Sequence, residues 1–306
     1  MSPTRVSASP APPPRRRLVR SMPAGLGILL AMAWTWPNQE PEPLLGLYDL
    51  SSDAGSQVKL PRALEEISGL ASTPDGRLFA HNDERAIIYE IDVEKWEISK
   101  SFSVGALALP GDFEGIAVAG DRFFLMTSAG QLVEFREGEA GSSVGYRVHS
   151  LGLGGLCEME GLAFDPLGAA LLMPCKTPRS REWRDHLVVL SVPLSSMRPD
   201  SVPRVFLSLD DLDSRGLGDE FHPSAIEFHL ATQSIVLVAA REEAMVEVGP
   251  GGKLLATKEF KRKDHPQPEG ITFLPDGSLI LADEGQGNRG TLTRYVRKET
   301  EVGDHR

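Results

Sequence analysis

Basic residues are scarce in this sequence relative to acidic ones. It contains 32 lysines and arginines against 43 aspartates and glutamates, and its net charge is −11 at pH 7. Residues 1–34 hold five of the arginines and no acid, so the rest of the chain is more negative still. A surface this acidic repels polyanions, which argues against nucleic acid and anionic lipid as partners of the main body. Cations and cationic partners fit it better.

Cysteine is also scarce, because Cys157 and Cys175 are the two cysteines in 306 residues. After export they could pair in an oxidising compartment. The hairpin expected around them brings them near each other but offset from direct opposition, a geometry that could forbid the bond. The alternative is that both are small buried hydrophobic residues, and the sequence leaves the two alternatives open.

A long hydrophobic run is missing as well. The apolar stretch 24–36 is too short for a comfortable membrane span, and it follows the basic run Arg15-Arg16-Arg17-Leu18-Val19-Arg20, which is similar to a twin-arginine signal. Ala31-Met32-Ala33 offers a cleavage pattern, so residues 1–34 are predicted to be an export signal. The alternative is an uncleaved N-terminal anchor with Trp34 and Trp36 at the membrane interface.

These features predict an exported protein, periplasmic or associated with the cell membrane. Any membrane contact would be made through the N-terminal segment alone. No cysteine lies directly after the apolar stretch, which argues against a lipoprotein. Residues 35–43 are predicted to be a linker, residues 44–298 a single domain, and residues 299–306 a polar tail.

A short sequence motif, which we call the phrase, is present five times. It reads Ile67-Ser68-Gly69-Leu70, Phe113-Glu114-Gly115-Ile116, Met159-Glu160-Gly161-Leu162, Pro223-Ser224-Ala225-Ile226 and Pro268-Glu269-Gly270-Ile271. Counted from the glutamate or serine, the intervals are 46, 46, 64 and 45 residues. A period near 45 residues is typical of the four-stranded blades of a propeller.

Each phrase opens a short apolar strand that leads into a turn such as Pro74-Asp75-Gly76, and further strands follow. We therefore predict an all-β fold, a β-propeller of five four-stranded blades. The last unit has sequence for three strands only, so residues 44–50 are expected to form the N-terminal strand that completes the last blade and closes the ring. The long interval leaves a degenerate sixth blade as the alternative, although we interpret its excess as insertions at 177–185 and 210–221.

The repeat is expected to gather acidic side chains at one opening, because the start of the first strand and the end of the second share one face of the ring near the axis. Calcium, a hard cation with oxygen ligands, would relieve their repulsion. The expected metal ligands are Glu114, Glu160, Glu269, Glu66, Asp83 and Asp283. The expected ligand-binding residues are Lys176, Arg241, Asp112, Glu158, His222 and Glu284. The alternative is that these carboxylates cap backbone amides at blade junctions or are simply solvated.

The phrases Glu66-Ile67-Ser68-Gly69-Leu70, Asp112-Phe113-Glu114-Gly115-Ile116, Glu160-Gly161-Leu162-Ala163-Phe164 and Pro266-Gln267-Pro268-Glu269-Gly270-Ile271 carry a resemblance to a known family. Over residues 44–296 the chain resembles the SdiA-regulated family, also called YjiK/CarP-like. The resemblance implies an exported or membrane-associated bacterial β-propeller with links to calcium and a phytase-like fold. More distantly, the chain is similar to calcium-dependent lactonase and phosphotriesterase propellers, whose metal is held by Glu, Asn and Asp. Glu114 and Glu269 match their glutamate, and no asparagine aligns.

Three functions remain open at this point. The first is a calcium-binding, non-enzymatic exported propeller that engages a small molecule or protein at its acidic mouth. The second is a metal-dependent hydrolase of a phosphoester or lactone, in which calcium polarises the substrate, Lys176 or Arg241 binds an anionic group, and a carboxylate or His222 acts as base. The third is a structural scaffold. We favour the first, because no nucleophile–base pair is evident and no residue is assigned a catalytic role.

Overall fold

The computed structural model describes residues 42–298, which belong to one compact unit. Within this range no helix is both long enough and apolar enough to cross a membrane. The predicted export signal at 1–34, most of the predicted linker and the predicted polar tail at 299–306 lie outside the described residues.

Strands dominate the described residues. In chain order the first eleven are β1 (Gly55–Lys59), β2 (Ile67–Ser72), β3 (Leu78–Asn82), β4 (Ile87–Asp92), β5 (Glu97–Val104), β6 (Phe113–Ala119), β7 (Arg122–Thr127), β8 (Gln131–Arg136), β9 (Ser143–Val144), β10 (Tyr146–Ser150) and β11 (Cys157–Met159). The others are β12 (Ala163–Asp165), β13 (Ala170–Pro178), β14 (His186–Pro193), β15 (Val205–Ser208), β16 (Ala225–His229), β17 (Ser234–Ala239), β18 (Ala244–Val248), β19 (Leu254–Glu259), β20 (Pro268–Phe273), β21 (Leu279–Asp283) and β22 (Thr291–Tyr295).

The helical elements between residues 42 and 298 are short. They comprise the α-helix α1 (Leu209–Asp213) and the 3₁₀ turns Leu44–Leu47, Arg62–Leu64, Arg181–Trp183 and Pro250–Gly252. The Arg181–Trp183 turn and α1 fall in the two segments predicted as insertions. The extra residues of the long interval therefore build connections within and after the third blade.

The strands form five sheets, and each sheet is one blade of a propeller. From the inner to the outer strand the blades are β2-β3-β4-β5, β6-β7-β8-β10, β12-β13-β14-β15, β16-β17-β18-β19 and β20-β21-β22-β1. β9 adds to β5 in parallel, and β11 pairs with the end of β13. The fold is the predicted five-bladed β-propeller, and the described residues contain no sixth blade.

The turns between first and second strands follow the sequence signals that predicted them. Gly76 and Gly277 have φ of +89° and +82°, in the left-handed region that glycine tolerates. Their amide groups donate to the carbonyls of Thr73 and Leu274, each at 2.9 Å. Each Pro-Asp-Gly sequence thus reverses the chain at the same depth in its blade.

An N-terminal strand closes the ring as predicted, but the predicted residues were wrong. β1 pairs with β22 to complete the last blade, whereas residues 44–50 hold a 3₁₀ turn and irregular chain. Leu44, Leu45 and Tyr48 are buried in the core between the fourth and fifth blades. The apolar run at 44–50 therefore fills a core, and the strand Gly55–Lys59 lies at an edge where polar residues face solvent.

The hydrophobic core consists of five clusters, one between each pair of neighbouring blades, including the pair formed by the fifth and the first. The cluster between the first two blades is aromatic, with Phe79 and Phe123 in an edge-to-face contact at 5.0 Å between ring centroids. Burial of these side chains supplies the main favourable free energy of folding. Because every blade packs on two neighbours, the ring is continuous.

Cys157 and Cys175 form a disulfide between β11 and β13, with a Cα–Cα distance of 5.7 Å. Cys175 lies opposite Met159 in the register, and Cys157 lies opposite Pro178. The expected offset is therefore present and does not prevent the bond.

Candidate functional site at the propeller axis

The five phrases meet at one axis. Residues from all five line a central cavity of about 10 Å³, which has room for about one water molecule. Its apolar lining is a girdle of side chains, one from each blade: Leu70, Ile116, Leu162, Ile226 and Ile271. The sequence-distant phrases therefore converge as predicted, and the apolar girdle narrows the axis between the two faces of the ring.

Small residues in the phrases are required by the close approach of the inner strands. A Cβ atom on Gly115 would lie 2.6 Å from the backbone nitrogen of Leu162 in the next blade. Gly161 has φ of +86°, and its amide donates to the carbonyl of Glu114 at 2.6 Å. Strand β12 consequently begins two residues after Gly161, later than the phrase suggested.

The two serine phrases do not direct their side chains to a shared site. The Ser68 hydroxyl donates to the carbonyl of Phe113 at 3.0 Å, and the Ser224 hydroxyl donates to the carbonyl of Pro268 at 2.5 Å. In both cases the acceptor belongs to the following blade. These serines therefore join neighbouring blades.

The three glutamate phrases come together around one lysine, and we call Glu114, Glu160, Glu269 and Lys176 the axial cluster. Glu160 and Glu269 are 3% and 9% exposed, although each is an acid. The ammonium group of Lys176, at the end of β13, forms an ion pair with Glu160. The amide of Gln267 donates to Glu269 Oε1 at 2.5 Å. The cluster thus contains residues from the second, third and fifth blades.

Burial and mutual repulsion alter the titration of the axial cluster. Burial, with the charges of Glu160 and Asp112, raises the pKa of Glu114 to about 8. Burial also raises the pKa of Glu269 to about 7, and burial together with Glu269 raises the pKa of Glu160 despite the opposing charge of Lys176.

Lys176 keeps its charge in this environment. Burial alone would lower the pKa of Lys176, but the carboxylates, with Glu160 first, outweigh that effect and raise it. One ammonium group therefore faces three carboxyl groups. Full ionisation of the three carboxyl groups releases the protons that burial holds on the cluster, and a further cation would favour that release.

A second set of acids, the outer acidic group, consists of Glu66, Asp83 and Glu284. The charge of Asp83 raises the pKa of Glu66, and burial followed by the charges of Asp83 and Glu66 raises the pKa of Glu284. Burial raises the pKa of Asp83, with a contribution from Asp112. The charge of Asp112 also raises the pKa of Glu114, so Asp112 interacts with one member of each group.

Two of the predicted ligand-binding residues lie at the margin of these groups. Asp112 is exposed and accepts a hydrogen bond from the hydroxyl of Ser128. Glu158 is half-buried and lies 3.9 Å from the guanidinium of Arg179. Both side chains already have partners within the chain.

The carboxylate of Asp283, predicted as a metal ligand, already has partners within the chain, and its Oδ1 accepts a hydrogen bond from the amide of Gln267 at 3.3 Å. Its carboxylate is 1% exposed and lies 2.8 Å from Nδ1 of His265, whose Nε2 lies 2.6 Å from the hydroxyl of Tyr295. This buried chain of three polar groups holds the end of β21 against β22. The sequence could not separate Asp283 from its neighbour Glu284, because the register of the strand end decides which of the two faces outward.

His222 and Arg241 belong to a third group on the fourth blade, with Glu220 and Glu242. Nδ1 of His222 lies 2.7 Å from Glu242, and the guanidinium of Arg241 lies 3.1 Å from Glu220. Glu220, His222 and Glu242 offer ligand atoms within 4.8 Å of one another, but the guanidinium of Arg241 also lies within 4 Å of each of these three side chains. Glu220 carries no signal in the sequence, because its role depends on loop conformation.

No known protein-family model matches the chain, and no curated protein matches it. The comparison with solved structures finds similar folds. A luciferin-regenerating enzyme has 8% sequence identity, 81% of this chain and 98% of that chain covered, and a TM-score of 0.50.

Two dehydrogenases are also found. A putative oxidoreductase (glucose dehydrogenase) from Thermus thermophilus shows 15% identity over 78% of this chain and 99% of its own, with a TM-score of 0.48. A PQQ-bound aldose sugar dehydrogenase from Streptomyces coelicolor shows 14% identity over 81% and 99%, with a TM-score of 0.46. At such identities the likeness concerns the fold alone, which does not determine a reaction.

Proposed function

We propose that this protein is an exported β-propeller that binds a calcium ion at the axial cluster and a ligand or partner at the surrounding acidic mouth. The observation that carries the proposal is the convergence of two buried glutamates, Glu160 and Glu269, and the half-buried Glu114 on a single ammonium group. Carboxylates that repel one another in a buried site are stabilised by a cation, and oxygen donors of this kind are those that calcium prefers.

The residues present fit calcium on the condition that the ion displaces the ammonium group of Lys176 from Glu160. Glu114, Glu160 and Glu269 supply hard oxygen donors, but the ammonium of Lys176 is paired with Glu160. A divalent cation therefore competes with Lys176 and with the protons on the glutamates. Bound calcium would supply a fixed double positive charge to which an anionic or oxygen-rich ligand could attach.

Isothermal titration with calcium chloride at pH 8 tests this proposal. We expect the parent protein to bind calcium, and Glu160→Gln to weaken the binding at least tenfold because it removes a donor charge. Lys176→Met keeps a side chain of similar length but removes the competing ammonium group, so it should strengthen calcium binding about tenfold.

Glu220→Gln is the matched control, since it removes one acid from the His222 and Arg241 group and leaves the axial cluster intact. It should not change the affinity. Calcium binding that Glu220→Gln abolishes and Glu160→Gln leaves intact would refute the axial location. Absence of binding in both the parent and Lys176→Met would refute the calcium site altogether.

Export and membership of the SdiA-regulated, YjiK/CarP-like family are parts of the same proposal. The Cys157–Cys175 disulfide supports export, because such bonds persist in oxidising compartments. The acidic phrases that carry the family resemblance are the same residues that form the axial cluster. We do not propose the hydrolase alternative, for which a similarity of fold gives no support.

A further inference from the structure

A larger cavity lies at the opposite end of the inner strands, where the turns between first and second strands surround the axis. Its volume is about 910 Å³, within the range of small-molecule sites. Its walls are mainly apolar and include Phe123, Phe164, Phe228 and Phe273. Three residues of the apolar girdle, Leu70, Ile116 and Leu162, also line it, so the girdle separates this cavity from the acidic mouth.

One repeat position explains why the cavity has room and a polar floor. Three residues after the glutamate or serine of each phrase stand Ala71, Ala117, Ala163, Glu227 and Thr272. Alanine in three blades leaves space near the axis. In the fourth blade the same position places Glu227 among the residues that line the cavity. Comparison of the five repeats at this position is the sequence signal that reveals the site.

The carboxyl group of Glu227 is held in a fixed orientation. Its Oε1 accepts a hydrogen bond from the amide of Phe228 at 2.8 Å, and its Oε2 lies 2.8 Å from the hydroxyl of Thr272. The Thr272 hydroxyl lies 2.9 Å from that of Ser72, which donates to the carbonyl of Phe273 at 2.8 Å. These contacts use one lone pair of each carboxylate oxygen and leave acceptor capacity for a ligand.

The floor carries an acid that no described cation neutralises. The charged or titratable residues that line the cavity besides Glu227 are Asp75, Arg77, Glu137, His229 and Arg297. The guanidinium of Arg77 is bound by Glu90 at 2.8 Å and by Glu137. Burial lowers the pKa of His229, which favours its neutral form, and Arg297 is exposed. Among residues 42–298, no ion pair involves Glu227.

We propose that this cavity binds a small hydrophobic amine, with the apolar body against the phenylalanine-rich wall and the ammonium group paired with Glu227. Contact with the walls removes apolar surface from water, and the ammonium group supplies the missing countercharge. An anionic head group would instead face Glu227 at the floor, which costs free energy by repulsion. This site is separate from the proposed calcium site in both position and chemistry.

Burial raises the pKa of Glu227 to about 7, which gives the site a specific pH dependence. An amine such as octylamine stays charged below pH 9, so its binding follows the ionised fraction of Glu227. That fraction is about 30-fold smaller at pH 5.5 than at pH 8. The affinity for octylammonium should fall by a similar factor over that interval.

Isothermal titration of the full chain with octylammonium, 1-octanol and octanoate tests the proposal. At pH 8 octylammonium should bind at least tenfold more tightly than octanoate. Glu227→Gln is nearly isosteric and should lower the octylammonium affinity at least tenfold, with the affinity for 1-octanol changed less than twofold. Glu160→Gln, which alters the axial cluster only, should leave all three affinities unchanged.

The pH series on the parent protein needs no variant and decides the matter even if Glu227→Gln fails to fold. Octylammonium binding that weakens toward pH 5.5 while 1-octanol binding stays constant supports the proposal. Binding of octanoate as tight as that of octylammonium, affinities independent of pH, or no binding of any of the three at millimolar concentration would overturn it.

Discussion

At the scale of single residues, serine replaces glutamate in the first and fourth phrases because a hydroxyl does what a carboxylate cannot. Ser68 and Ser224 each donate a hydrogen bond to a carbonyl of the next blade. An ionised carboxylate only accepts hydrogen bonds and would repel that carbonyl. The same position of the repeat therefore holds a residue that joins blades in the first and fourth phrases and a residue that carries charge at the axis in the other three.

Ser224→Ala should destabilise the protein by about 1–3 kcal/mol, because it leaves the buried carbonyl of Pro268 without the donor that now satisfies it. Chemical denaturation at pH 7 measures the change in the free energy of unfolding. Ser195 is exposed, so Ser195→Ala should change stability by less than about 0.5 kcal/mol. Equal effects of the two substitutions would show that the bond between blades contributes nothing.

Sequence reasoning predicted which acids could converge, since Glu114, Glu160 and Glu269 do share the axial cluster with Lys176. It could not place Asp283, whose side chain is committed to His265 by the local register. The importance of Glu227 also went unrecognised in the sequence. Its chemistry depends on the alanines of other blades, and only the ring brings them together.

At the scale of elements, the inner strands of neighbouring blades pack closely against one another. Glycine in the phrases allows this approach, and the sequence signal for it was correct. The strand that closes the ring was harder to find, because Gly55–Lys59 has two polar faces and no apolar alternation. The strand was predicted at residues 44–50 because this segment is apolar, although its leucines pack as a buried 3₁₀ turn.

Gly115→Ala should cost about 2 kcal/mol or more, since its Cβ would lie 2.6 Å from the backbone of Leu162 and backbone cannot move aside cheaply. Gly145 is the matched control, because a Cβ there meets nothing within 4 Å. Gly145→Ala should be neutral or slightly stabilising, by less than about 1 kcal/mol. Urea unfolding of both variants checks this, and a neutral Gly115→Ala would contradict the close packing of the inner strands.

At the scale of the whole molecule, closure of the ring concentrates acid at one end and apolar surface at the other. The same five strands begin at the acidic mouth, contribute the apolar girdle and end at the larger cavity. Burial of carboxyl groups along this axis makes the stability of the whole propeller depend on pH. The direction of that dependence follows from the proton uptake of the native state.

Between pH 6.5 and 8, we expect the free energy of unfolding to fall by about 3 kcal/mol as pH rises. The pKa of Glu114 is raised to about 8, and those of Glu269 and Glu227 to about 7, whereas unfolded glutamates titrate near 4.5. The native state therefore binds more protons than the unfolded state, and stability is lost as pH rises through these values.

Groups with lowered pKa values do not reverse the trend in this window. His81, whose burial lowers its pKa to about 4, adds stability only up to the unfolded value of 6.5, and the ion-paired Glu137, with a pKa of about 2, has added its share by pH 5. Denaturation in the presence of a chelator at pH 6.5, 7.2 and 8 measures the slope. Glu114→Gln should make the slope shallower, because a neutral amide no longer releases a proton. A stability that rises toward pH 8, or a slope that Glu114→Gln leaves unchanged, would mean that the axial carboxyl groups are ionised throughout and that Lys176 alone neutralises them.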